Sequence, residues 1–369
     1  MVGILISSGA AWADESAEPR KSLRIANWSM YIDFDDNMPE DLPPEKRSPT
    51  LREFAEKFNC DIEYHEFDTF DSMLAKFTEL SGFYDIMVLS CGYTRSIMAL
   101  GWLLPIPEEK IPNLKIVDDS ARHPPPDPDG RYLIPYLNDY VGLAFRNDIL
   151  ATTNLTWGEY FNPPSSWQGH VGLYDSPPVM FALAIISSGK DYPNATSADF
   201  SEAQAKIANL RNRFSPTISD DPTVLSDKLL SGELWATPLY APDAQALLSK
   251  STNISFLIPE DGSEYYYDYF IVNKDSQNQD LAFEFINFVL DPQILGRISA
   301  YLGAGATSEE ARLVSRELAT PMVPAAMTPD GKPLPRLQIT YALNPEIEAR
   351  WLSIMSEPVF PASGEELAD

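Results

Sequence analysis

The sequence predicts an α/β protein built as two lobes. Three observations carry that expectation. A chain of 369 residues exceeds what one hydrophobic core usually supports. Its N-terminal third alternates short β-branched runs with amphipathic helical runs, the pattern of βαβ units with helices on the faces of a sheet. A second series of the same kind begins near "HVGLY" at residue 170.

In chain order, "LRIANW" (23–28) reads as a strand, "TLREFAEKF" (50–58) as a helix and "CDIEYHEF" (60–67) as a strand. "FDSMLAKFTEL" (70–80) is a helix and "YDIMVLS" (84–90) another strand. The extended, aromatic-rich "RYLIPYLNDYVGLAFRND" (131–148) suits a connection between lobes. In the second series "DFSEAQAKIANLRNRF" carries an apolar stripe at Ala203, Ile207 and Leu210. "TVLSDKLLSGELWATPLY", "DAQALLS" and "ISFLIP" continue that series, and "QDLAFEFINFVL" and "PEIEARWLSIMSE" read as late helices. The acidic, Pro-rich segment 35–48 reads as a loosely packed loop, and "PPPDPDG" (124–130) as a turn-rich connection.

The 54 acidic against 27 basic residues give a formal charge of −27, which repels nucleic acid and anionic membranes and favours small cationic partners. The opening "MVGILISSGAAWADES" has an apolar segment followed by Ala11-Trp12-Ala13, so residues 1–13 read as a secretory signal cleaved after Ala13. The mature product is then expected outside the cytoplasm, in the periplasm. The two cysteines, Cys60 and Cys91, are expected to stay free, since one starts a strand and the other follows the end of another.

Familiar catalytic chemistry has little footing. His65, His123 and His170 lie far apart without carboxylates at metal-ligand spacing. Asp127, Asp129 and Gly130 lack the later oxygen ligands of a calcium loop. "GAGATS" (303–308) follows a helix rather than a strand, and no phosphate loop or nucleophile elbow occurs. A carboxylate-pair hydrolase stays open, because its two acids need not be close in sequence. Nothing positive marks an enzyme, a metal centre or a cofactor site.

The anomaly lies in "EYYYDYFIVN" (264–273), where aspartate interrupts a run of strand-forming residues. Alternation sorts it into Tyr266, Asp268 and Phe270 on one face and Tyr265, Tyr267 and Tyr269 on the other.

At "IANWSMYI", "YDIMVLS", "YDSPPVMFALA", "YAPDAQAL" and "NISFLIPEDGSEYYYDYFIVN" the chain resembles the periplasmic putrescine- and spermidine-binding proteins of ABC importers, in order from Leu23 to Glu357. The resemblance implies a type II-like periplasmic binding protein of two lobes. Each lobe is then a mixed sheet flanked by helices, with ligand in the cleft between them. The lobes would comprise residues 22–139 with about 270–310, and 140–269 with about 311–360. It further implies a small cationic ligand, an ABC permease as partner, a monomer, no nucleic acid and no cofactor.

The ligand-binding positions so implied are Trp28, Ser29, Met30 and Tyr31, then Ser90, then Ser176 and Val179 at a helix start. Tyr240 with Asp243, Tyr266 with Asp268, and Gln338 complete the set. Carboxylates for ammonium groups and aromatic faces for methylenes and cation–π contact are what a polyamine requires. Trp28, Tyr240 and Tyr266 also fit plain packing, and Asp243 also fits the first turn of a helix, where the dipole favours an acid. Met30 and Val179 stand where diamine-binding relatives often carry acids, and Gly303 near where they place a tyrosine. A mono-amine or zwitterionic ligand on the same fold, or an amine sensor in place of transport, therefore remains an alternative. An unpaired buried carboxylate is costly, so the cleft is expected open and hydrated when empty and closed over a cation.

Overall fold

The structure, a computed structural model, describes residues 20–68, 70–79, 82–319, 322–328, 332–340 and 346–356. The expected signal segment, residues 1–13, lies outside them.

The strands are β1 (Lys21–Trp28), β2 (Cys60–Phe67), β3 (Ile86–Ser90), β4 (Ile134–Arg146), β5 (Gly172–Tyr174), β6 (Thr217–Ser219), β7 (Ala236–Tyr240), β8 (Ile254–Leu257), β9 (Ser263–Val272), β10 (Gly305–Ala306) and β11 (Leu337–Ile339). In the first lobe β1 runs parallel to β2 and β3, with crossover helices Pro49–Phe58 and Phe70–Glu79. Asn59 in the left-handed conformation stops the first of these helices. β9 then pairs antiparallel with β3 and β4, and β10 with β4, which makes the sheet mixed.

β4 is shared by both groups of strands. Its first half, up to Tyr140, pairs with β9, and its second half, from Val141, pairs with β7 and β8. β8 and β9 follow each other along one flank of it, so both chain paths pass from lobe to lobe at the same level. The register shifts between Pro135 and Asn138, where proline has no N–H to give the ladder. In the second lobe β5 and β6 pair parallel, a bridge from Val171 to Ala236 links them to β7, and β11 joins the first residues of β9.

Asp268 to Val272 hydrogen-bond to β3, and the helix Glu309–Leu318 packs on Pro292–Leu302. The segment 35–48 is mostly exposed, with Ser48 its one buried residue. It forms a short helix, Pro44–Arg47, whose Arg47 lies over the Phe34 ring at 4.5 Å, and Asp36 accepts a bond from Tyr301.

The core of the second lobe gathers Trp157, Tyr160 and Phe161 around the helices Pro177–Ile186 and Ser197–Phe214. From Val179 to Ile186 every residue of the first of these helices is buried, as in a helix surrounded by protein on all sides. Both Cys60 and Cys91 are buried free thiols.

Candidate ligand-binding cleft

Asp268 lies on β9 directly opposite Ser90 of β3. Register delivers the Ser90 hydroxyl to Oδ1 at 2.5 Å, while the Tyr31 hydroxyl donates to Oδ2 at 2.7 Å. The aspartate is 1% exposed. Burial raises its carboxyl to about 6 despite both hydrogen bonds, which pull the other way. One strand over, Asp139 of β4 faces Tyr266 of β9. The Tyr266 hydroxyl donates to its Oδ2 at 2.9 Å and the Tyr140 N–H to its Oδ1 at 2.7 Å. Burial at 2% exposure holds Asp139 well above the usual carboxylate range. Among the described residues, no cationic side chain forms an ion pair with either aspartate or offsets the effect of burial on it.

Aromatic side chains surround these acids. Tyr31 meets Tyr136 edge-on at 5.8 Å, Tyr240 meets Tyr266 at 5.7 Å and Tyr174 meets Tyr240 at 5.4 Å. Trp28 packs at 6.3 Å from Tyr93, and its buried Nε1 has no partner among the described residues. Local chemistry explains the turn that presents Trp28 and Tyr31. The Asn27 amide donates to the Tyr31 carbonyl, its oxygen accepts from the Trp28 N–H, and Met30 takes φ 57°. Asn27 thus acts as a clamp for the turn.

Residues 50–325 match the family of bacterial extracellular solute-binding proteins. The chain belongs to that family. Among curated relatives it is 27% identical to the putrescine-binding periplasmic protein PotF of Escherichia coli over 82% of each chain. To the spermidine/putrescine-binding periplasmic protein of the same species it is 23% identical, over 86% of this chain and 85% of that one. Among solved structures, the spermidine/putrescine substrate-binding protein PotD of Streptococcus pneumoniae superposes with a TM-score of 0.74 at 20% identity, covering 91% of this chain and 97% of that one. The two-lobed fold of periplasmic substrate-binding proteins is common to both.

Within this solute-binding protein the expected site residues separate. Tyr31, Ser90 and Asp268 come together through hydrogen bonds, Tyr266 stands two residues before Asp268 on the same face of β9, and Tyr240 joins through Tyr266. Asp243, in the first turn of the helix Ala241–Leu248, is half-buried. Burial and the neighbouring Asp221 raise it to about 7. Ser176 is the half-buried N-cap of the helix Pro177–Ile186, without a side-chain capping bond, and Val179 is packed in the core.

Trp28 packs near Tyr93, whereas Ser29, Met30 and Gln338 are turned elsewhere. Ser29 is exposed and donates to Asp68 at 2.6 Å. Met30 is 51% exposed, because the left-handed turn swings it outward. The Gln338 amide is taken up by the backbone, accepting from Tyr192 N–H and donating to the Lys190 carbonyl.

Two further acids go beyond the set expected from the sequence. Asp139 interrupts the apolar β4 just as Asp268 interrupts β9, so the same anomaly marks it. Glu264, 5% exposed, is raised to about 7 by burial; it opens a strand, where an acid draws no notice. In the structure Asp139, Asp268 and Glu264 are all withdrawn from solvent. The lobes meet where Gly303 (φ 76°) approaches Gln245 so closely that an added Cβ would lie 2.9 Å from its side chain.

Proposed function

We propose that this protein is the exported capture component of an ABC importer for a polyamine or a related linear organic cation. The observation that supports this best is the pair Asp139 and Asp268, buried carboxylates that have hydrogen-bond donors but no cationic partner among the described residues. A buried carboxylate without a counter-charge costs several kcal/mol. An ammonium group supplies that charge, and the faces of Trp28, Tyr31, Tyr240 and Tyr266 suit both methylene packing and cation–π contact. The periplasmic relatives that bind putrescine and spermidine favour the same ligand class.

Capture follows from placement. Asp268 belongs to the first lobe and Asp243 with Tyr240 to the second, so a cation bridging them holds the lobes together. The closed form is then what an inner-membrane permease would accept. Export requires removal of residues 1–13 as a signal, and the binding protein acts as a monomer without chemistry on its ligand. Calorimetric titration with putrescine, cadaverine, agmatine, spermidine and spermine tests this reading, with recovery of intact ligand checked by mass spectrometry. Saturable binding of one or more, lost in Asp268→Ala, is expected. No binding of any, or binding indifferent to Asp268→Ala, would sink it.

A further inference from the structure

On β9, Glu264, Tyr266 and Asp268 point to one face. Register puts Asp139 opposite Tyr266 and Ser90 opposite Asp268 on that same face. Asp268, Asp139 and Glu264 therefore form a row along the two strands that join the lobes. Four residues separate the end members, about 13 Å at the rise of a strand, with Asp139 beside the midpoint.

Glu264 is the least satisfied of the three. Its Oε1 accepts from the Thr340 hydroxyl at 2.9 Å, while its buried Oε2 has no partner among the described residues. The polar groups around it are used elsewhere. Gln338, its neighbour on β11, serves Tyr192 and Lys190, and the Cys91 thiol donates to the Thr340 carbonyl. Tyr192 and Tyr240 lie within electrostatic reach, but a phenol supplies no positive charge, and burial keeps both hydroxyls neutral. Leaving a buried carboxylate oxygen unpaired is expensive. A ligand ammonium, with three N–H donors, would fill that place.

We propose that Glu264 is a distal cation anchor, and that the row Asp268, Asp139, Glu264 selects a linear triammonium ligand over a shorter diammonium one. This rests on the polyamine reading of the cleft. Of the three acids in the row, the short cation engages Asp268 and Asp139, whereas the longer one also reaches Glu264 and adds a charge-assisted bond there.

The test is calorimetric titration of wild type and Glu264→Gln with spermidine and putrescine. Spermidine affinity is expected to fall roughly ten- to a hundredfold, as for loss of a hydrogen bond to a charged group, and putrescine affinity to change by less than about threefold. Equal losses for both amines, or none, would overturn the distal anchor while leaving the polyamine reading standing. Wild type that binds neither amine overturns both. Should Glu264→Gln fail to fold, Glu264→Met replaces it, and the wild type alone still decides, since equal affinity for spermidine and putrescine refutes the selection.

Discussion

Replacing Asp268 by asparagine should move stability and binding in opposite directions. The carboxyl sits at about 6 rather than its ordinary 3.8 because burial disfavours its charge. At about 1.4 kcal/mol for each pH unit, that displacement is worth roughly 3 kcal/mol. The sign follows from proton counting. Below pH 3.8 the group is protonated in folded and unfolded chains alike, and its charge costs nothing. Between 3.8 and 6 the folded chain keeps a proton that the unfolded chain has released, so stability falls as pH rises. Above about 6 the whole penalty is present. The introduced asparagine carries no charge, but its NH₂ faces one of the hydroxyls of Ser90 and Tyr31, which forfeits about 1 kcal/mol of hydrogen bonding. The variant should therefore be about 2 kcal/mol more stable at about pH 7.5 and about 1 kcal/mol less stable at about pH 3.5. Spermidine binding should weaken by about 30-fold or more, the consequence of removing one partner of a buried charge pair. Thermal midpoints of both proteins across that pH range, with titrations at its upper end, measure these quantities. A variant less stable at every pH, or one that binds spermidine like wild type, would refute the placement of Asp268 as a cation anchor.

Binding should release protons near neutral pH, because Asp243 and Glu264 sit at about 7 and a bound cation draws both toward the ionised form. Titrations in phosphate and in Tris should then give different heats, and affinity should tighten from about pH 6 to about 8; identical heats would contradict the buried acids as ligands. Gly303→Ala should cost about 1 kcal/mol in the left-handed helix cap. By pressing on Gln245 it should also weaken spermidine several-fold, measured by thermal midpoint and titration. Arg297→Met strips Asp33, 2% exposed and held at 2.7 Å, of its counter-charge. A loss of about 3 kcal/mol is expected, largely recovered in the double variant with Asp33→Asn, as denaturation midpoints would show.

The alternation of strands and helices is legible because the two periods, about 2 and 3.6 residues, are local properties of the chain. Asp268 is legible because an aspartate among tyrosines violates strand composition. Asp139 carries the same violation, yet "YLNDYVGLAF" reads first as a connection between lobes. It is one, and it also pairs with β9 along the cleft floor. Met30 and Gln338 illustrate what local sequence cannot hold. The outward turn of Met30 depends on the bonds of Asn27 to the backbone of Trp28 and Tyr31. Gln338 is drawn to a loop 146 residues away. The packing of Glu309–Leu318 on Pro292–Leu302 is hidden for a similar reason, since it is a contact between helices and not a local property of either.

The placement of the acids divides the work of recognition. Asp139, Glu264 and Asp268 belong to β4 and β9, strands whose ladder is continuous with both lobes, so the floor they form stays with those strands. Tyr31 projects from a turn of the first lobe, whereas Tyr240 and Asp243 come from the second. If the lobes rotate about β4, as the proposed capture requires, those walls change separation. A substitution on the floor therefore alters how strongly each charge is held, in open and closed forms alike. One on a wall alters the difference between those forms, which is what drives closure. Asp268 stands between the two classes: its carboxylate is fixed to the floor, but the Tyr31 hydroxyl that steadies it comes from a wall. On the proposed reading, an ammonium held at Asp268 leaves the Tyr31 hydroxyl as the nearest group of a wall to register that the site is filled.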